Sequence, residues 1–146
     1  RTGLPLLPWG SITWGLALTL PGYLLYGALA AGLGIVAGDR EHAQQAAGIL
    51  GFVGMAPFWL IGAIVGDPNG VLAVAFTLFP LTSPTITLIR MALAPVPVWQ
   101  LVTAVLILLA SLGLAVWAVA RVFRASALLY GQRVTPRVVW RALSRA

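Results

Sequence analysis

Four successive stretches of this chain, residues 2–38, 43–66, 68–89 and 91–120, contain no Asp, Glu, Lys or Arg. A helix needs roughly 20 apolar residues to cross the hydrocarbon core of a bilayer, and at least three of the four stretches read as long enough to do so. Backbone N–H and C=O groups find no water in that core, so a spanning segment must satisfy them internally, as a helix does. Composition agrees: 8% of the residues are charged and 60% are hydrophobic, against about 25% charged in an ordinary soluble domain. The sequence therefore predicts an all-α, multi-pass membrane protein.

All nine basic residues are arginine, six of them from Arg121 onward, and the net charge is +6. In a soluble protein that balance would suggest nucleic acid. Here a basic segment after the last apolar run is the mark of membrane topology, and no nucleic-acid partner is expected. Cysteine is absent, which removes disulfides and thiolate metal sites. The chain opens at Arg1 within apolar sequence, without the basic and short apolar regions of a signal peptide. The expectation is a fragment preceded by further spans.

Three spans are predicted, at about residues 12–36, 46–65 and 98–122. Pro21 and Pro57 fall inside the first two; spanning helices tolerate proline where neighbours satisfy the freed carbonyl. The polar segment GDREHAQQ (38–45) separates these two spans and reads as a solvated loop. DPNG (67–70) is a turn signal, Asp before Pro and then Asn-Gly. Small residues recur every four positions, at Ala30, Gly34 and Gly38 and at Gly62 and Gly66, a pattern that lets helix backbones approach.

The segment FPLTSPTITLIR (79–90) interrupts the third charge-free stretch. Residues 71–79 and 85–94 would form helices of about 13 and 15 Å, each too short for a core of about 30 Å. Pro80 and Pro84 each delete a backbone donor and clash with a preceding turn, while Thr82 and Ser83 offer hydroxyls to freed carbonyls. The prediction is a re-entrant helical hairpin at about 71–94 that enters the membrane and leaves on the same side. Arginine bias does not discriminate this from a fourth crossing, because Arg1 and Arg40 merely exchange sides; the prolines decide for the hairpin.

Chemistry-bearing residues are few. There is no phosphate-binding loop, and His42, the single histidine, has Asp39 and Glu41 beside it but no further ligands to make a metal site. No catalytic, cofactor-binding or metal residue is assigned. Arg90 is the charge that asks for an explanation. A membrane arginine is costly and often functional; one reading makes it an outer gate or anion contact, the other a side chain that snorkels to headgroups or water. Pro80, Thr82, Ser83, Pro84 and Arg90 are thus the candidate gate residues. The tail, residues 123–146, carries Thr135-Pro136 as a helix start. Arg137, Arg141 and Arg145 then follow at four-residue spacing on an amphipathic helix and, with Arg133 just before it, are suited to anionic headgroups or to a cytoplasmic partner.

The order of DREHAQQ (39–45), DPNG, FPLTSPTITLIRMAL (79–93), PVPVWQ (95–100) and RVFRASALLYGQRVTP (121–136) resembles the C-terminal half of type-2 ABC exporter permeases, in particular the NatB-like sodium-efflux branch. The resemblance runs from Tyr26 to about Leu143. It implies the permease subunit of an ATP-driven exporter, multi-pass in the bacterial cell membrane with its C-terminal tail cytoplasmic. It further implies re-entrant helices before the last span and a second permease subunit, as homo- or heterodimer. ATP and Mg would bind a separate ATPase subunit, so this chain is expected to hold no cofactor and not to be an enzyme. Sodium does not follow as substrate, since no carboxylate lies within a predicted span to supply a hard oxygen site. Two alternatives remain at this level: a non-transporting membrane scaffold or anchor, and a secondary transporter, the latter disfavoured by spans without ionisable groups.

Overall fold

Gly38 and Asp39 make the first corner of the molecule. In the computed structural model, which describes residues 9–127, Gly38 adopts a left-handed conformation with φ 72°, the usual way to end a helix and one that a side chain disfavours. Asp39 is extended, and its carboxylate accepts the His42 N–H at 2.9 Å, capping the next helix. Helix α1 (Trp9–Ala37) therefore gives way to α2 (Arg40–Trp59) within two residues. The eight-residue loop expected at 38–45 is corrected to this two-residue corner, and Arg40 to Gln45 form the first turns of α2.

Helix α3 (Ile61–Gly66) continues the line of α2. Leu60 keeps right-handed dihedrals between them, its N–H reaching the Ala56 carbonyl at 3.3 Å and its own carbonyl accepting from Ile64 at 3.0 Å. Arg40–Gly66 thus acts as one rod of 27 residues, about 40 Å long. Two short helices follow, α4 (Val71–Leu78) and α5 (Ser83–Leu93), and then α6 (Val98–Ala127). Among the described residues there is no strand, and three helices are long and apolar enough to cross a bilayer: α1, the α2–α3 rod and α6. The molecule is an all-α, multi-pass membrane protein.

Packing falls into two clusters. Leu18 and Leu25 of α1 meet Ala104, Leu108 and Ala115 of α6 in the larger one, with Leu78 and Leu81 against it. Ile64, Ala73 and Ile86 form the smaller, joining α3, α4 and α5. The short pair α4–α5 is thereby wedged between α1, α6 and α3. The small residues that bring helices together are not the predicted ones. Gly34, Gly62 and Gly66 face open space, whereas a Cβ on Gly22 would meet Pro84 Cγ at 2.5 Å and one on Gly32 would meet Val119 Cγ2 at 2.8 Å. Four-residue spacing alone does not say which face meets a neighbour, and α1 is apolar around its whole circumference. Gly22 stands near the midpoint of α1, so α5 begins about halfway along the long helices.

Candidate functional site

A buried arginine joins the parts of the short helical pair to the rest of the fold. Arg90 lies in the last turn of α5 and is 0% exposed. Its Nε donates to the Pro68 carbonyl at 2.6 Å, and Nη1 donates to Thr77 Oγ1 at 2.8 Å. Nη2 donates to Asn69 Oδ1 at 3.0 Å and to Gln100 Oε1 at 2.9 Å. The acceptors come from the DPNG turn, from α4 and from the start of α6. Thr77 gives its own proton to the Ala73 carbonyl at 2.8 Å, which leaves its oxygen lone pairs for the guanidinium. Among the described residues no carboxylate pairs with Arg90. Bare burial of such a charge costs several kcal/mol; hydrogen bonds to a charged group contribute about 1.5–3 kcal/mol each, so four neutral acceptors are enough to hold it.

The hub also fixes topology within the molecule. One side chain touches both the turn that precedes α4 and the first turn of α6, so it brings the start of α4 close to the start of α6. Arg90 does not reach solvent as snorkelling requires; the neutral oxygens around it make the interior its better environment.

At the opposite end of the pair lies a tight turn. Phe79 is extended (φ −78°, ψ 116°), as a residue before proline must be, and Pro80 therefore breaks the helix. Thr82 Oγ1 then bonds the Phe76 carbonyl at 2.8 Å and the Phe79 carbonyl at 3.3 Å, satisfying groups that the end of α4 leaves open. Pro84 does not interrupt a helix as the sequence suggested. It sits in the first turn of α5, where no N–H is needed, and packs its ring onto Gly22. Ser83 donates its backbone N–H to Phe79 at 2.8 Å, but its hydroxyl, like that of Thr87 one turn on, is buried without a hydrogen-bond partner. From α1, Tyr26 Oη donates to the Leu81 carbonyl at 2.9 Å, and a Cβ on Gly54 of α2 would meet the same hydroxyl at 3.3 Å.

Pro80, Thr82, Ser83, Pro84 and Arg90 thus lie in one element, the first four at its tip and Arg90 at its base. Sequence reasoning missed Asn69, Thr77, Gln100 and Tyr26. Gln100 carried a readable signal, a polar side chain opening a long apolar run; Tyr26 carried none, since its partner is 55 residues away. Arg133, Arg137, Arg141 and Arg145 lie outside the described residues. At the far end of the long helices Arg40 is exposed, Arg121 stacks on Trp117 at 4.8 Å and Arg124 bonds the Ala120 carbonyl at 3.3 Å. Among the described residues no group of His, Cys, Asp and Glu is placed to hold a metal ion.

The profile of the "ABC-2 family transporter protein" matches residues 2–121, most of the chain and all of the hairpin. The chain belongs to the ABC-2 transporter family. Similarity at lower identity extends to an uncharacterised protein of Bacillus subtilis (strain 168), YhaP, 25% identical over 93% of this chain and 32% of its own length. It extends also to an uncharacterised protein of Methanocaldococcus jannaschii, MJ1024, 24% identical over 78% of this chain and 28% of its own. The chain spans about a third of the length of these relatives. No solved structure matches it. For an ABC-2 family member, a short helical pair seated against spanning helices by a buried cation is the feature that asks for a role.

Proposed function

We propose that this chain is the C-terminal part of the permease subunit of an ATP-driven exporter, of the NatB-like branch, with its transport pathway completed by a second permease subunit. A separate ATPase subunit binds ATP and Mg and supplies the driving force; the permease itself is not an enzyme. The long helices are the spans, and α4–α5 is a re-entrant hairpin that dips from the extracytoplasmic face to mid-membrane and covers the outer mouth. The arginines at the other end, Arg40, Arg121 and Arg124 with those of the tail, then face the cytoplasm of a bacterial cell, as positive charge does. There Arg133, Arg137, Arg141 and Arg145 contact anionic headgroups or a partner.

The observation that carries this reading is the Arg90 hub. A solvent-poor hairpin bolted at one end to the start of α6 suits a gate that stays folded while the spans move. Irregular backbone at membrane depth must be covered by protein, and the tip at 79–82 lies against α1 and α6, with the Tyr26 hydroxyl on one of its carbonyls. Purification of the full-length protein from its native membrane tests the proposal: an ATPase subunit with a phosphate-binding loop should come with it. A full-length protein recovered alone, and transporting on an ion gradient without ATPase, would overturn it.

A further inference from the structure

We propose that the Tyr26 hydroxyl is a releasable latch for the hairpin tip, and that the hairpin swings about the Arg90 hub as its fixed base. The two ends are held unequally. At the base, four hydrogen bonds from one guanidinium reach the 67–70 turn, α4 and α6, and bonds from a charged donor are the strong kind. At the tip, the only polar hold from α1 among the described residues is one neutral hydroxyl on the Leu81 carbonyl at 2.9 Å, beside the contact of Pro84 with Gly22 and the apolar packing of Leu78 and Leu81 on the α1–α6 cluster. Neutral bonds of this kind are readily exchanged for water.

The closed tip also buries groups that would gain from release. Ser83 and Thr87 are 0% exposed, and their hydroxyls have no hydrogen-bond partner. Ser83 stands at the start of α5, beside the tip, and Thr87 one turn on, between the tip and the hub. A buried hydroxyl without a partner loses its hydration and gains nothing for it, so displacement of the tip into a wet pathway would restore what closure costs. Gly22 completes the device: with no Cβ it leaves the Pro84 ring a seat that any side chain would fill. A side chain added at Gly54 of α2 would meet the Tyr26 hydroxyl at 3.3 Å, so α2 passes close to the latch. The proposal deepens the gate reading and rests on it for its use in transport, but its test does not need transport.

The test uses the full-length protein in its membrane, with single cysteines in a chain that otherwise has none in this region. Ser83→Cys reports on the tip and Ala73→Cys on the buried base, each modified by a small membrane-impermeant thiol reagent added outside. Adding Tyr26→Phe should raise the rate at the tip reporter about fivefold, the factor that loss of one neutral hydrogen bond gives, and leave the base reporter unchanged. Gly22→Ala should act in the same direction by crowding Pro84, and decides the matter if the Phe variant does not reach the membrane. An unchanged tip rate, or an equal rise at both reporters, would overturn the latch. Absence of an ATPase partner would overturn the export reading while leaving these rates to stand on their own.

Discussion

A guanidinium deprived of both water and carboxylates has to be held by dipoles, and this geometry decides what can replace Arg90. Its acceptors lie in different directions, at Pro68, Thr77, Asn69 and Gln100, and only a planar fork with five donors faces them together. Lysine offers a point charge with three donors and a larger hydration cost. Arg90→Lys should therefore destabilise the full-length protein by about 2–3 kcal/mol, the scale of one or two charge-assisted bonds lost, and Arg90→Ala by at least as much. Thermal unfolding in detergent measures both. A Lys variant as stable as the parent would show that the planar fork is not needed at this position. The presence of the cation was legible in the sequence, and so were a gate reading and an anchor reading for it. Its partners were not, because all four are neutral, three side chains and one backbone carbonyl brought together by how α4, α5 and α6 cross, and neutral oxygens leave no charge pattern to read.

At the scale of the element, the proline-bounded segment foretold a helical pair of the observed length: 71–94 was expected, and helices at Val71–Leu78 and Ser83–Leu93 are found. The roles of the two prolines were not separable in sequence. Pro80 makes the break through the extended Phe79, whereas Pro84 starts α5 and packs on Gly22, a contact between residues 62 apart in the chain that no local signal announces. The corner at 38–39 was legible in principle, since Gly followed by Asp is a helix stop and then a cap, but the run of polar residues after it reads equally as loop. Two predictions belong here. Thr82→Val removes the hydroxyl that holds the Phe76 and Phe79 carbonyls and should destabilise the protein by about 1–2 kcal/mol, again by thermal unfolding. Single cysteines at Asp67 and Pro97, both exposed, should label from the extracytoplasmic face, and one at Arg133 from the cytoplasmic face alone. Labelling of Asp67→Cys and Pro97→Cys from opposite faces would make α4–α5 a crossing rather than a re-entrant pair.

The whole molecule offers lipid or partners an unusual share of itself: in each of the three long helices the most apolar window is at most 17% buried within the chain. Apolar surface of that extent belongs in a bilayer and against other helices, which fits a chain that matches about a third of its relatives' length. Class and membrane character were legible from charge spacing alone, because hydrocarbon admits so few backbone solutions. A substrate for the proposed exporter leaves no comparable trace, since the hub and the tip are built from neutral groups and one arginine that faces inward. The proposed energy source, by contrast, is open to one direct measurement: transport by the full-length protein in proteoliposomes, with and without the proposed ATPase subunit, as ATP is supplied. Transport should require both the ATPase and hydrolysable ATP, with none on an ion gradient alone. Transport by the permease alone, driven by a gradient and indifferent to ATP, would contradict it.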